Sequence, residues 1–477
     1  MMAHRLRIAV IGGTASGTAA AAEARRANPE AEVVLFEQNT YVAFGACEIP
    51  YFVGGWLKSP DQLIALTPEE FERTRKVNVR ILHRVEAIHP AERRLVYRHL
   101  AYNSVHERSF DRFILAVGAR PRQLNIPGED APNVFYVRLL EDAVGMREYL
   151  NTEPVRHVVV VGGGYIGVEM AEVLRLRGLQ VTLLEPTGKL LSTMLEDELR
   201  PILHRKMEAE GILLRQESVV AFEQNAAGLV EAIVTDRKEK IGCQMVVVAI
   251  GIQPNVELAV QAGIRLGETG AVAVDDQMHT SAPNVWACGD CIEVKRVIDR
   301  KPVYVPLSPT AFRTARVAAR NAARVGRGQP AVFPGVTPAS AVKVFGLEVA
   351  AVGLNLARAR EQGFDAVSVT IKHWSQAPVM PGARPVYVRL IVERGTARLL
   401  GGEVVGEDGA ALRADVLVPF IRQGLKADDL EQADLIYTPP VAPARDPLWI
   451  AASAARKAAL TPVEERIIAP SLRNRGE

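Results

Sequence analysis

The sequence predicts an α/β fold: two Rossmann-like units, the second inserted in the first, followed by a C-terminal α+β domain. Three observations lead there. A strand–glycine turn–helix–strand pattern occurs twice, as RIAVIGGTASGTAAAAEARR then EVVLFEQ, and as HVVVVGGGYIGVEMAEVLRLRG then QVTLLEP. Two strand–glycine–proline segments, RFILAVGARPR and MVVVAIGIQPN, resemble each other and stand where the chain would leave and re-enter the first unit. From about Ala331 the texture changes and no further glycine turn of this kind occurs.

The first copy places Gly12, Gly13, Ala15 and Gly17 in a turn between a buried strand and a helix, with Glu37 ending the next strand. The second places Gly162, Gly164 and Gly167 in the same way, with Glu185 ending its strand. This is the opening of a dinucleotide-binding βαβ unit: glycines let the backbone approach a pyrophosphate at a helix N-terminus, and the acid accepts hydrogen bonds from a ribose. One match is weak evidence; two copies, each with the acid about 20 residues on, are strong. Thr14 stands where the first copy's middle glycine belongs, so that loop is expected to sit differently. Glu185 disfavours a 2′-phosphate, and Lys189 is the nearby cation, which favours NADH over NADPH.

The predicted boundaries are 1–120 with 246–330 for the first unit, 121–245 for the inserted one, 331–445 for the third domain and 446–477 for an extension of unassigned role. NVWACGDC, Asn284 to Cys291, is another strand, ending in Gly289-Asp290. In the third domain Val386 to Glu393 alternates as a half-buried strand, Arg394 to Thr396 turns, and ARLLGGEVVG returns as its hairpin partner. Asp415 to Gln423 reads as an amphipathic helix. A last helix is expected near Ile450 to Leu460, with fraying beyond it.

Composition narrows the function. A length of 477 residues suits about three domains. The formal charge of +2, with no basic stripe, points away from nucleic acid. Apolar runs are far shorter than the ~20 residues that span a bilayer, and a buried strand so near the start leaves no room for a signal peptide. Four cysteines in this length make no disulfide scaffold, so a reducing cytoplasm is expected. The nine histidines are scattered, and no metal site is expected. Cys288 and Cys291 form a C-x-x-C pair, read here as space-filling residues.

Cys47, in VAFGACEIPY, is the residue with chemistry to explain. It has no cysteine partner four or five residues away, so it must pair with an external thiol or be oxidised alone. A free thiol of pKa near 8.5 is only about 3% thiolate at neutral pH. Pro50 suits a helix beginning near Cys47, whose N-terminus would lower that pKa; Glu48 opposes it.

This order of parts resembles the flavin-dependent pyridine nucleotide–disulfide oxidoreductases over roughly residues 5 to 445. Within them the single cysteine of C-x-x-P-Y resembles the coenzyme A-disulfide reductase subfamily and its persulfide- and polysulfide-reducing relatives. The resemblance implies FAD at Gly12, Gly13, Ala15, Gly17, Glu37, Val85, Gly118, Gly289 and Asp290. It implies NADH or NADPH at Gly162, Gly164, Tyr165, Gly167, Glu169, Glu185 and Gly251. Coenzyme A, as substrate or mixed disulfide, would meet Arg25, Arg26 and Phe44. Catalysis would fall to Cys47, with Tyr437 of the Y-x-P-P segment reaching a partner subunit's site in a homodimer, and Tyr51 as a second acid. Ala43, Ala46 and Val379-Met380 depart from the subfamily pattern where substrate would be held. The alternatives are an NADH oxidase or peroxidase cycling Cys47 through sulfenic acid, and a flavin-bound redox sensor. Oxidases and peroxidases of this kind usually carry a histidine in the first glycine loop, and Gly12 to Gly17 has none.

Overall fold

The computed structural model describes residues 5–324 and 328–461. It divides into two compact units, 1–188 with 211–336, and 189–210 with 337–477.

The first unit holds two five-stranded parallel sheets. One runs in the order Val285–Ala287, Arg112–Leu115, Arg7–Ile11, Glu32–Phe36, Asn78–Arg80. Its strands are near-continuous apolar runs because helices cover the faces of a parallel sheet. The alanine-rich helices Ala15–Ala27 and Ser308–Ala323 pack closely against one another beside it. The other sheet runs Ile212–Arg215, Gln180–Leu184, His157–Val161, Met245–Val248, Val134–Tyr136. A three-stranded antiparallel sheet, His83–His89, Arg94–His99 and Ser104–Ser109, joins the first Rossmann unit.

This topology corrects the boundary at 246. Met245–Val248 pairs in parallel with His157–Val161, so it is a strand of the inserted unit. The chain leaves that unit only beyond it. The two look-alike segments pair with each other, Ala119–Pro121 antiparallel to Ile252–Pro254, as a two-stranded link.

Both glycine turns have the same geometry. Gly12 and Gly162 lie at φ +102° and +108°, where a side chain would overlap the carbonyls of Ala116 and Ala249. A side chain at Gly17 or Gly167 would overlap the carbonyl of Gly12 or Gly162. The expected displacement at Thr14 is absent. Thr14 has φ −87° and ψ −151°, and Gly164 has φ −79° and ψ −170°. No neighbouring atom lies within 4 Å of a Cβ built at Gly164, so this position takes a side chain without moving the loop.

The second unit is built on a five-stranded antiparallel sheet in the order Ala339–Val344, Leu347–Gly353, Leu399–Gly406, Pro385–Glu393, Ala366–Trp374. Helix Ala410–Gln423 begins earlier than the sequence reading placed it. Helix Pro447–Leu460 packs on strands Ala366–Trp374 and Pro385–Glu393. It is part of this unit rather than a separate extension; the predicted fraying lies outside the described residues. Residues 189–210 also belong here, a second correction to the 121–245 assignment. They are fastened by Arg389, whose Nη2 donates to Glu196 Oε2 at 2.8 Å and which also pairs with Glu198, and by the Ala357 amide on Glu196 Oε1 at 2.8 Å.

Candidate active site

The Cys47 loop is hooked to the first glycine turn: the Ala43 amide donates to the Gly13 carbonyl at 3.0 Å. A 3-10 turn, Ala46–Glu48, runs into the short helix Ile49–Val53, with Pro50 in its first turn as the sequence indicates. The far end of this helix is capped by two cations. Arg147 Nη1 donates to the Phe52 carbonyl at 3.1 Å, and Arg177 Nη1 to the Val53 carbonyl at 2.9 Å. Positive charge there complements the negative end of the helix. Cys47 is exposed, while Cys243, Cys288 and Cys291 are buried.

The expected lowering of the Cys47 pKa is not what the polypeptide produces. Burial by surrounding protein raises it, and the charges of Glu48 and Glu169 add to that. Ser308 and Arg138 act in the opposite sense. Ser308 Oγ lies 4.0 Å from Cys47 Sγ. A helix five residues long is too weak a dipole to outweigh two carboxylates. One turn along from Cys47, the Tyr51 hydroxyl donates to Glu169 Oε1 at 3.5 Å. Burial pushes Tyr51 up to about 12 and Glu169 up to about 7, with Glu172 reinforcing both.

The two acids that end the βαβ units repeat one arrangement. Glu37 is buried; its Oε2 accepts the Gly13 amide at 2.6 Å, and its Oε1 accepts the Asn39 amide and Nδ2 at 2.8 Å. Burial raises its pKa against these hydrogen bonds. Glu185 accepts the Gly163 amide at 3.0 Å and the Thr187 amide and hydroxyl at 3.1 and 2.8 Å. Lys189 pairs with Asp197 at 3.0 Å. Ala15 and Tyr165 open the two helices. Val85 packs, half-buried, against the core of the first sheet. Gly118 and Gly251 turn at φ +67° and +102° in the link between the two sheets. Gly289, at φ +80°, stands against Ser16 of the first helix. Beside it Asp290 Oδ2 accepts Arg138 Nη2 at 3.2 Å, and its carbonyl accepts the Tyr304 hydroxyl at 2.9 Å.

The substrate residues fare differently. Phe44 is only 6% exposed and packs on Tyr41 with ring centroids 5.2 Å apart. It is a core residue that holds the loop. Arg25 donates to the carbonyls of Pro29 and Ala31, and Arg26 pairs with Glu23. Both stand near the C-terminal end of helix Ala15–Ala27, roughly 15 Å along its axis from the glycine turn. Tyr437 is 54% exposed on the C-terminal unit.

The family model described as pyridine nucleotide-disulphide oxidoreductase matches residues 6–322, and that for its dimerisation domain matches 339–447. The chain belongs to this family. It is 35% identical over 448 residues to the NAD(P)H coenzyme A polysulfide/persulfide reductase of Pyrococcus horikoshii, covering 94% of this chain and 97% of that protein. The reduced CoADR-RHD of Bacillus anthracis superposes with a TM-score of 0.91 at 31% identity, over 96% of this chain and 81% of that one. The NAD-dependent persulfide reductase of A. fulgidus gives 0.91 at 32% identity, over 95% and 83%.

Oxidoreductases of this family use FAD and a nicotinamide dinucleotide. Both cradles in this oxidoreductase fit such groups: each has a bare glycine turn at a helix N-terminus and a carboxylate held by that turn's own amide. Cys288 and Cys291 are fully buried, and burial pushes the Cys291 thiol up to about 12. Cys291 Sγ lies 3.3 Å from the Cys288 carbonyl, not in a disulfide. No cluster of metal-ligating side chains occurs among the described residues. Sequence reading missed Ser308, Arg138, Arg147 and Arg177. Only Ser308 carried a local signal, a Ser-Pro pair opening a helix; the arginines lie far from Cys47 along the chain.

Proposed function

We propose that this oxidoreductase uses NAD(P)H to reduce low-molecular-weight disulfides, coenzyme A disulfide or coenzyme A persulfide and polysulfide foremost, at the single sulfur of Cys47. The observation that carries this reading is the exposed Cys47 on a loop hydrogen-bonded to the first glycine turn, with the other three cysteines buried. The names of the relatives at 31–35% identity support the substrate class.

The Cys47 thiolate attacks one sulfur of the incoming disulfide, whose S–S bond breaks as a mixed disulfide forms on Cys47. FAD, held at the first glycine turn and Glu37, would supply the two-electron chemistry between nicotinamide hydride and sulfur, through which the mixed disulfide is cleaved to the Cys47 thiolate and the second thiol. The departing thiolate takes a proton. Tyr437 is assigned as the acid, acting in the partner subunit's site of a homodimer, which the dimerisation domain favours. Tyr51 is the weaker donor, because its pKa is pushed to about 12 and its hydroxyl already faces Glu169. Glu185, held by Gly163 and Thr187, supports NADH over NADPH. Arg25 and Arg26 are assigned to coenzyme A phosphates, for which guanidinium suits bidentate contact. No described helix is long and apolar enough to cross a membrane. A cytoplasmic location follows from the cysteine usage, and the balanced charge supports the absence of a nucleic-acid partner.

C47S holoenzyme should retain FAD and lose disulfide-dependent NADH oxidation under anaerobic conditions. Retained turnover overturns the thiol mechanism. Oxygen-dependent turnover without a disulfide would favour the oxidase reading, and negligible turnover with every acceptor the sensor.

A further inference from the structure

Cys47 lies beside the first residue of a second, longer helix. Ser308 is the first residue of Ser308–Ala323, sixteen residues whose N-terminus carries Pro309 in its first turn. At the start of this helix the Leu307 amide donates to the Val305 carbonyl at 2.9 Å and Pro309 has no N–H, so Ser308 and Thr310 supply the first-turn amides that have no intrahelical carbonyl, and the aligned peptides concentrate partial positive charge there. Ser308 Oγ stands 4.0 Å from Cys47 Sγ, and both side chains are exposed. The other groups that act on this sulfur divide by sign. Glu48 and Glu169 oppose the thiolate, while Arg138 favours it but is engaged by Asp290 at 3.2 Å. Among the described residues, the Ser308 hydroxyl is the polar side chain within hydrogen-bonding reach of this sulfur.

We propose that Ser308 is a positioning residue for the reaction: its hydroxyl donates a hydrogen bond to the Cys47 thiolate and aims that sulfur at the N-terminus of helix Ser308–Ala323. A hydroxyl can be either partner. Facing a thiol it accepts the S–H; facing a thiolate it rotates and donates. The contact therefore follows the sulfur through deprotonation without backbone movement. The helix end supplies the favourable field that the five-residue Cys47 helix is too short to supply. The thiolate formed is the attacking group of the proposed reduction, so this inference deepens that reading and rests on it for its catalytic meaning. The contact itself does not depend on which acceptor is reduced.

The test is alkylation of Cys47 by iodoacetamide in FAD-loaded enzyme, followed by mass spectrometry from pH 5 to 10. Alkylation reports the thiolate directly and needs no disulfide substrate. S308A is expected to raise the midpoint by about half to one pH unit and to slow alkylation at pH 7 about three- to tenfold. S308G, which also lacks the hydroxyl, should do the same, and serves if the alanine variant fails to hold FAD. S308T, which keeps the hydroxyl, should remain within about twofold of the parent. An unchanged midpoint in S308A or S308G overturns the proposal, as does a threonine variant that behaves like alanine. If the midpoint shifts as expected but the parent enzyme reduces no disulfide, the reductase reading fails while the Ser308–Cys47 contact stands. If the parent reduces disulfides and the midpoint does not move, the converse holds.

Discussion

Glu403 offers a stability test centred on the second unit. It lies in strand Leu399–Gly406, is 1% exposed, and shares one buried guanidinium, Arg389, with Glu196 and Glu198. Its Oε2 accepts the Glu196 amide at 3.4 Å, while its Oε1 and Arg389 Nε have no hydrogen-bond partner. Arg389 is shared among three carboxylates, and burial favours the protonated form of Glu403. Burial raises its pKa to about 7, Glu196 adds to the rise, and Arg389 and Arg200 oppose it. The sign follows from linkage. A carboxyl whose folded pKa exceeds its unfolded value of 4.5 contributes stability that is complete below 4.5 and lost as pH rises through about 7. A separation of about 2.5 units corresponds to at most about 3 kcal/mol. E403Q mimics the protonated form and removes the titration. Urea unfolding of holoenzyme, followed by tryptophan fluorescence, to which Trp374 and Trp449 of this unit contribute, should show the parent losing stability between pH 5 and 8 relative to E403Q. Parallel pH profiles for the two proteins would refute the reasoning, because they would mean that Glu403 is ionised throughout.

Other consequences concern the nucleotide sites. G17A should yield protein without bound FAD, seen as loss of visible absorbance, because the added methyl overlaps the Gly12 carbonyl at the pyrophosphate turn. G164A should shift the unfolding midpoint by no more than about 0.5 kcal/mol, since no atom of the chain stands within 4 Å of the new group. E185A should narrow the ratio of NADH to NADPH activity, measured as kcat/KM for each; an unchanged ratio would remove Glu185 from ribose recognition.

Much of the nucleotide machinery was legible because it is local. A strand, a glycine turn and an acid about 20 residues later are set by backbone sterics within one βαβ unit. Gly12, Gly17, Glu37, Gly162, Gly167 and Glu185 therefore take the places their spacing indicates. Thr14 misled because its position was judged by motif rather than by space: nothing of the protein crowds the matching Gly164. The short helix suggests a lowered Cys47 pKa, whereas burial by surrounding protein raises it, with Glu169 adding to the rise and Ser308 opposing it from 122 and 261 residues away along the chain.

By itself the sequence determined the repeated Rossmann units, the insertion of one in the other, the acids that end their second strands and the isolation of one sulfur, because each follows from short-range periodicity or from counting. Tertiary structure alone decided the rest: that Met245–Val248 joins the inserted sheet, that residues 189–210 pack with the C-terminal unit, and that Ser308 meets Cys47. Strand partnership in a parallel sheet and electrostatic contact across distant elements depend on where the chain returns in space, and no local pattern of residue types records that.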